Sequence, residues 1–245
     1  MKGIGKEFME KTKYRFLDAS PQSRGEPQPP LELPPEPGKP TIPLPNIGEF
    51  KPPQLSLHEA ISKRRSLREY SDEPLTLGEL GYLLWACQGV ERVLDKRATL
   101  RTVPSAGARH CFETYVLANR VQGVQPGIYR YLALSHRLQE VKLGPGLGGE
   151  VAAACLNQGF IKKSAATLVF TAHLPRMYWR YGERGYRYIH LDGGHAMQNL
   201  YLAAEAMGAG ACAVAAFDDD ELNGLLDLDG EERFAVYVGA VGKRL

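Results

Sequence analysis

Two arginines flank a serine in the segment Arg64–Arg68, which reads RRSLR. The segment follows a predicted helix and leads into Glu69–Ser71, which we expect to be extended. In an extended chain residues i, i+2 and i+4 share a face, so Arg64, Ser66 and Arg68 would project together. Two guanidinium groups beside a hydroxyl can bind a phosphate. For the segment taken alone, a solvated basic helix end is the more common arrangement.

A second segment, Pro104–His110, reads PSAGARH. Its small side chains would let a flat ring approach the backbone closely. The Ser105 hydroxyl and the neighbouring amides could bond the edge of a heteroaromatic ring. This segment therefore indicates a place for the ring of a cofactor.

The last residues, VGAVGKR followed by Leu245, read as a strand that carries Lys243 and Arg244 to a defined place. With Arg64 and Arg68 they would supply four cationic groups. Each charge-assisted hydrogen bond contributes roughly 1.5–3 kcal/mol before desolvation, so four groups are ample for a phosphate dianion.

The elements that must position these residues can be predicted from capping and periodicity. Capping boxes at Ser56 and Thr76 open two helices, one reaching about Arg64 and one ending at Gly89. Alternation and turn signals predict a hairpin and further strands, and two short helices complete the pattern. The strands are 113–119, 127–132, 137–143, 166–172, 211–216 and 234–241, and the short helices are 150–156 and 218–226. The interspersed order favours an α+β fold with a mixed or antiparallel sheet.

The segment Leu191–Met207 is rich in Ala, Leu and Met on most faces. Such a helix should be buried nearly all round, in a domain core or a dimer interface. Two glycines follow Asp192, which suggests that the helix starts there with Asp192 as its cap. His190, Asp192 and His195 do not share one helical face, so we do not predict a metal site.

Gly144–Gly149 matches the pattern GxGxxG between a predicted strand and a predicted helix. A dinucleotide site also needs an acidic residue about twenty positions later. No Asp or Glu occurs from Val151 to Gly182. We therefore interpret this motif as a turn.

Residues 1–54 form a proline-rich segment ahead of a globular domain at 55–245. Proline is dense from Pro21 to Pro53, and it excludes helix and central strand there. The segment is either a disordered linker or an extended arm laid over a neighbouring surface. Apolar anchors favour the arm slightly; they are Leu31, Leu33, Ile42, Leu44, Ile47 and Phe50.

Composition excludes several classes of partner. The formal net charge of +2 and the short basic runs predict neither nucleic-acid nor membrane binding. No stretch approaches the length of a spanning helix or of a signal-peptide core. Four widely spaced cysteines read as reduced thiols, which favours a cytoplasmic location.

The motifs RRSLR, PSAGARH, ETYVLAN with PGIYRY, DGGHAMQNLYLAAEAMG and VGAVGKR occur in the order seen in the nitroreductase-like FMN-dependent oxidoreductases. The chain resembles this family from about Leu55 onward, and most of all its SagB-type branch, which includes peptide azoline dehydrogenases. The resemblance implies an intertwined α+β homodimer with FMN in the subunit interface, reduced by NAD(P)H as co-substrate.

The resemblance also implies roles for individual residues. One subunit would lay the loop of Pro104, Ser105, Ala106 and Gly107 against the flavin held by the other. The resemblance assigns the phosphate and ribityl chain of the flavin to Arg64, Arg65, Ser66 and Arg68. It places the backbone amides of Ala215 and Ala216 near the reactive nitrogen of the flavin. It assigns the C-terminal phosphate contacts to Lys243 and Arg244.

Three functions remain open on this basis. The first is electron transfer from NAD(P)H to a small, flat nitroaromatic or quinone. The second is oxidation of peptide azolines to azoles, and the third is a non-catalytic flavin carrier or redox sensor. Azoline dehydrogenases resemble one another in carrying a Lys-Tyr pair, where this chain has Arg187-Tyr188. Arginine stays protonated and is a poor general base, which disfavours the second function and leaves Tyr188 as the candidate proton donor.

Overall fold

An antiparallel sheet runs through the centre of the chain. The structure is a computed structural model that describes residues 3–51, 54–95 and 97–245. Its strands are β1 (Thr41–Pro43), β2 (Val90–Leu94), β3 (Ala98–Arg101), β4 (Phe112–Ala118), β5 (Gly127–Leu132), β6 (Arg137–Leu143), β7 (Ala166–His173), β8 (Ala209–Val214) and β9 (Arg233–Lys243). Seven of them form one sheet in the order β1-β6-β5-β4-β7-β9-β8, and within the described residues β2 pairs only with β3. All of these pairs are antiparallel, so the predicted sheet type is confirmed.

Helices alternate with the strands along the chain and make the fold α+β. They are α1 (Ile4–Lys11), α2 (Leu57–Lys63), α3 (Leu77–Gln88), α4 (Leu147–Ala154), α5 (Phe160–Lys163), α6 (Leu174–Tyr181), α7 (Gly185–Ala206) and α8 (Asp219–Leu225). Both predicted capping boxes are present, at Ser56 and Thr76, each with the glutamate three residues later. Within the described ranges no helix is both long enough and apolar enough to cross a bilayer.

Several predicted boundaries were wrong. The helix α7 begins at Gly185, six residues before the predicted start, and α4 begins at Leu147, inside the glycine-rich motif that we interpreted as a turn. Strand β8 ends at Val214, so Ala215 and Ala216 follow it in a loop. The hairpin β2–β3 was not predicted. Packing against neighbouring elements overrides the local preferences of glycine and alanine at these boundaries.

The sheet separates two apolar cores. One core joins α3 and α7 to one face, through residues such as Leu83, Phe170 and Leu200. The other joins α4, α5 and α8 to the opposite face, through residues such as Val151 and Val238. Gly239 of β9 lets α7 approach the sheet, because a Cβ there would lie 2.5 Å from the Leu200 side chain. The sheet thereby fixes α7, the element that carries the site described below.

The proline-rich segment lies on the sheet of its own chain. Buried side chains of the domain bond its backbone: Glu113, Arg130, Gln139 and Arg176. Their partners are the Leu33 amide, the Pro30 and Pro34 carbonyls and both backbone groups of Glu36. Strand β1 then extends the sheet beside β6, and the proposed anchors are at least half-buried. The arm is not extended throughout, since α1 opens it, and the prolines at 52 and 53 lie outside the described residues.

Candidate functional site

The segment Arg64–Arg68 runs along the outer edge of the sheet. Ser66 forms a parallel bridge with Ala211 of β8, and the Leu67 amide donates to the Ala211 carbonyl at 2.9 Å. A Cβ on Gly210 would lie 2.5 Å from the Leu67 side chain, so the missing side chain lets this segment seat against the strand. The predicted extended conformation after α2 is thus fixed by pairing with β8.

Tyr201 of α7 organises this edge. Its hydroxyl lies 2.9 Å from the Ser66 hydroxyl and accepts a hydrogen bond from the Ala213 amide at 2.8 Å. The Arg64 guanidinium lies over its ring, 5.2 Å from the centroid. Sequence reasoning missed Tyr201, although a single tyrosine in the apolar segment Leu191–Met207 is a signal, because its hydroxyl needs a partner. We call this group, with Arg64 and Ser66, the Tyr201 edge of α7.

The other residues of the RRSLR motif lie differently. Arg68 stacks over Phe160, 5.9 Å from the ring centroid, and does not join Arg64 over Tyr201. Arg65 donates to the Ser62 and Arg64 carbonyls at the end of α2, where it satisfies helix acceptors. Among the described residues, no carboxylate lies within salt-bridge distance of Arg64, Arg65 or Arg68. The motif therefore leaves positive charge at the surface.

The two C-terminal cations lie at the same end of the sheet but are already paired. Lys243 forms a salt bridge with Glu79, and both side chains are only 15% exposed. Arg244 forms a salt bridge with Glu205 and also donates to the Ala209 carbonyl. Their predicted phosphate contacts remain predictions, and in this conformation each would need an exchange of partners.

The predicted amide donors follow β8. Ala215 and Ala216 are exposed, two and three residues after the Ala213 amide that binds Tyr201. The Ala216 carbonyl accepts from the Gln158 side chain at 3.0 Å. Neither amide is a hydrogen-bond donor to another described residue. They remain available to a ligand, as the resemblance implies.

The loop Pro104–Gly107 lies on the opposite side of α7. Its Ala106 amide points at the Asp192 carboxylate, 3.2 and 3.3 Å from the two oxygens. The Ser105 hydroxyl accepts from the His110 amide at 2.9 Å. Gly107 has a φ of +56°, which favours glycine. We call this group the Asp192 edge.

The prediction that Asp192 caps a helix was wrong. The residue lies inside α7 and is 5% exposed. Burial raises the pKa of its carboxyl, while the bonds from Ser105 and Ala106 act in the opposite direction. His190 and His195 are exposed on α7. Within the described ranges, no group of three potential ligands is placed to hold a metal ion.

The two edges lie far apart on the same helix. Asp192 and Tyr201 are nine residues apart. At the rise and pitch of an α-helix this separation corresponds to about 13 Å along the axis and to about half a turn around it. Between them, Gly194, His195 and Gln198 are exposed in the single chain, and the adjoining Leu191 is 60% exposed. The expectation of near-complete burial therefore does not hold within one chain.

Tyr188 lies near the N-terminal end of α7. Its hydroxyl accepts from the Arg184 guanidinium at 2.7 Å and lies 2.8 Å from the Tyr14 hydroxyl. Burial disfavours the phenolate, but the bonds from Tyr14 and Arg184 outweigh it and lower the pKa of Tyr188. Its ring meets the Tyr181 ring edge-on, with 4.8 Å between the ring centroids. The Tyr181 hydroxyl in turn lies close to Gly107, since a Cβ on Gly107 would lie 2.4 Å from it. Tyr188 thus connects to the Asp192 edge through one aromatic ring.

Arg187, the residue before Tyr188, binds the N-terminal segment. Its Nε donates to the Thr12 hydroxyl at 2.6 Å, and another nitrogen donates to the Met9 carbonyl. Its guanidinium also lies over the Phe8 ring. The side chain is therefore engaged in holding residues 8–12 onto α7.

Residues 61–243 match the nitroreductase family model. The chain belongs to the nitroreductase family. A candidate nitroreductase of Methanocaldococcus jannaschii is 39% identical over 204 residues, which cover 83% of this chain and 96% of that protein. This family member thus shares most of its length with a curated relative.

Two further comparisons give more distant likenesses. The trifolitoxin-processing protein TfxB of Rhizobium leguminosarum bv. trifolii is 29% identical over 133 residues, 53% of this chain and 36% of that protein. The structure of the Escherichia coli microcin synthetase McbBCD complex with truncated pro-MccB17 contains a similar chain. It superposes with a TM-score of 0.62 at 19% identity, over 99% of this chain and 92% of that one. The second likeness shows the fold, arm included.

Proposed function

We propose that this nitroreductase-family protein is an FMN-dependent enzyme of the cytoplasm that transfers electrons from NAD(P)H to a small, flat acceptor such as a nitroaromatic or quinone. The observation that carries the proposal is the Tyr201 edge. There Arg64 and Ser66 meet at one tyrosine, next to the exposed amides after β8. This arrangement offers cations, a hydroxyl and amides to one anionic cofactor.

The residues present fit FMN. Arg64 and Arg68 carry charge that no described carboxylate neutralises. They would bind the phosphate, Arg68 after leaving the Phe160 ring. Ser66 would bond the ribityl chain, and the Ala215 and Ala216 amides would donate to the ring. When bound, FMN supplies two-electron redox chemistry, and the protein orients it and tunes the ring.

The two edges of α7 support a homodimer. Because they face opposite sides of one helix, the loop at Asp192 is poorly placed to reach a ring held at Tyr201 of the same chain. A second copy could bring its own loop to that ring. The exposed strip of Leu191, Gly194, His195 and Gln198 would then lie in the interface, which would account for the exposure of Leu191.

The position of Arg187 favours acceptor reduction over azoline oxidation. An azoline dehydrogenase would need a base beside Tyr188, and Arg187 is bonded to Thr12 and Met9. The resemblance to a trifolitoxin-processing protein and to a chain of a microcin synthetase complex supports the alternative, an FMN-dependent azoline dehydrogenase. Tyr188 is the proton donor in the acceptor-reducing reaction.

The visible spectrum of the purified protein tests the cofactor and the donor together. We expect flavin bands, and we expect them to bleach anaerobically with NADH or NADPH and to return when a quinone is added. A colourless protein that does not take up added FMN would refute the proposal. Bound FMN that neither nicotinamide reduces would favour the carrier or the azoline enzyme.

An azoline peptide separates the two enzymes. If the alternative holds, mixing it anaerobically with the FMN-loaded protein should bleach the flavin without nicotinamide. Tyr188→Phe and Arg187→Lys should then both alter that rate strongly. Under our proposal the peptide leaves the spectrum unchanged, and Tyr188→Phe slows only acceptors that need a proton.

A substitution on the exposed strip tests the homodimer. Leu191→Asp should lower the solution mass from two chains to one and release FMN, because it puts a charge into the interface. Leu191 is a better probe than Leu200, which is fully buried within its own chain. Leu134→Asp, at a 44% exposed residue of the β5–β6 turn, is the control and should leave the mass unchanged. A monomeric protein that retains FMN would contradict the assembly.

A further inference from the structure

A cleft of about 580 Å³ lies between the proline-rich arm, the end of the β2–β3 hairpin and α6, outside the site described above. Its walls carry Arg97, Arg109, Arg180 and Trp179, with Pro29 and Pro30 on the arm side. Among the described residues, no carboxylate side chain lines it. The volume falls in the range of small-molecule sites, about 300–1,000 Å³.

Arg109 is the innermost of the three arginines and is 8% exposed. Its Nε donates to the Gly107 carbonyl at 2.9 Å and its Nη2 to the Arg97 carbonyl at 3.2 Å. Both acceptors are neutral, and within the described ranges Nη1 has no acceptor at all. The guanidinium also lies over the Trp179 ring, 5.4 Å from its centroid.

The charge of Arg109 has no counter-charge among the residues that the structure describes. Burial, and then the neighbouring Arg180, lower the pKa of its guanidinium. Among the described residues, no carboxylate oxygen lies within 4.0 Å of a guanidinium nitrogen of Arg97, Arg109 or Arg180. Buried charges in proteins are normally paired, because an unpaired one loses hydration without compensation. An anion from outside the chain would supply the missing partner.

We propose that this cleft binds the phosphate of a phosphorylated heteroaromatic molecule, that is, a nucleotide. Planar guanidinium groups match phosphate oxygens in pairs, and Arg97 and Arg180 lie at the mouth, where they can join Arg109. Trp179 and the two prolines provide an apolar wall for the ring system. The proposal does not rest on the proposed function, because it concerns binding and needs no flavin.

The cleft adjoins the Asp192 edge. Arg109 bonds the Gly107 carbonyl, and a Cβ on Gly107 would lie 2.7 Å from the Arg180 Nε. A nucleotide held by these arginines would therefore brace the loop from outside. Occupancy of the cleft should make that loop harder to open.

Calorimetry on the full chain, saturated with FMN, tests the proposal with ADP, pyrophosphate and adenosine as probes. We expect ADP to bind more tightly than pyrophosphate, adenosine to bind weakly, and added salt to weaken ADP binding. The variant Arg97→Gln/Arg180→Gln should lower ADP affinity by about 10-fold or more. Both side chains are exposed, so the fold should tolerate the change.

A matched variant controls for net charge. Arg92→Gln/Lys162→Gln removes two exposed cations elsewhere and should keep wild-type ADP affinity. Because FMN occupies the predicted phosphate site at Arg64 and Arg68 in the saturated protein, ADP binding measured in its presence reports on this cleft. Failure of FMN binding alone would leave the ADP result readable, because the measurement can be repeated on the flavin-free chain.

Tryptophan fluorescence gives a second readout. The chain has two tryptophans, and ADP should change the emission of Trp179 but not that of Trp85. Trp179→Phe should abolish the signal and weaken ADP more than pyrophosphate. Equal ADP affinity in Arg97→Gln/Arg180→Gln and its matched control, or adenosine binding as tightly as ADP, would overturn the proposal.

Discussion

The two edges of α7 differ in how much of their bonding the chain itself completes. At the Asp192 edge the carboxylate accepts from the Ala106 amide, and the Ser105 hydroxyl accepts from the His110 amide. At the Tyr201 edge the guanidinium of Arg64 rests on an aromatic ring and, among described residues, meets no carboxylate. The first edge is closed by internal hydrogen bonds, and the second is open toward a ligand.

The difference shows that a basic residue can bind a ligand only if its charge is not already paired within the chain. Four basic residues were predicted to bind one phosphate. Lys243 and Arg244 have glutamate partners within the chain, whereas Arg64 and Arg68 have none among the described residues. Substitution of the unpaired residues at the Tyr201 edge should therefore change ligand affinity. Substitution of residues that are bonded within the chain should change stability.

The largest effect is expected for Arg64→Gln/Arg68→Gln. Loss of two charge-assisted contacts should weaken FMN by about 100-fold, while riboflavin, which lacks the phosphate, should bind as before. Titration of the flavin-free protein by flavin fluorescence measures both. Arg92→Gln/Lys162→Gln, at two exposed residues, is the control that removes the same charge. Equal losses for the two flavins would show that the open edge does not bind phosphate.

Gly107→Ala should destabilise the closed edge. Its φ is +56°, and a Cβ there would lie 2.4 Å from the Tyr181 hydroxyl. An alanine held in this left-handed region is strained by about 1–2 kcal/mol. Gly123→Ala is the matched control, since Gly123 has a φ of +74° but nothing within 4 Å of its Cβ position. Urea unfolding should show Gly107→Ala to be the worse by about 1 kcal/mol. Equal losses of stability in the two variants would mean that the Tyr181 side chain moves away from the added Cβ at no cost.

Lys243→Met tests whether a cation that is paired within the chain contributes to stability and not to FMN binding. It would leave the Glu79 carboxylate, which is 15% exposed, without its partner. We expect a cost of about 1–3 kcal/mol in the free energy of unfolding. Lys63→Met breaks the exposed pair with Glu59. That control should cost less than about 0.5 kcal/mol. If Lys243→Met instead released FMN as strongly as the double arginine variant, Lys243 would exchange Glu79 for the phosphate.

The last effect concerns pH at the closed edge. Burial, reinforced by Arg101, lowers the pKa of His110 to about 3 from an ordinary value near 6.5. Between these values the unfolded chain binds the proton and the folded chain does not, so stability falls as the pH falls below about 6.5. Asparagine tolerates the φ of +43° at this position. His110→Asn should therefore reduce the loss by about 1–2 kcal/mol between about pH 6.5 and about pH 5.

Thermal unfolding across that pH range provides the measurement. His58→Asn changes an exposed histidine on α2 and should keep the wild-type slope. His173 also has a pKa lowered by burial, to about 4, so His110→Asn should flatten the profile only in part. An unchanged slope in His110→Asn would mean that the loop opens before the histidine is protonated.

The sequence by itself determined the features that depend on near neighbours. The capping boxes at Ser56 and Thr76 predicted the starts of α2 and α3, because both reciprocal bonds join residues three apart. Alternation and turn residues predicted the β5–β6 hairpin with its observed bounds. Ordered motifs predicted the family, which the comparison confirmed. The assignment of individual residues to FMN stays a prediction.

Only the tertiary structure decided which charged and polar groups meet. Glu79 was recognised as a cap, yet its pairing with Lys243 joins residues 164 positions apart. Asp192 was assigned to a helix start, but the fold buries it against the loop at Ser105. Tyr201 gained its partners only when β8 and the Arg64 segment packed beside α7. Local patterns carry no information about such distant pairs, because the packing of the sheet and α7 creates them.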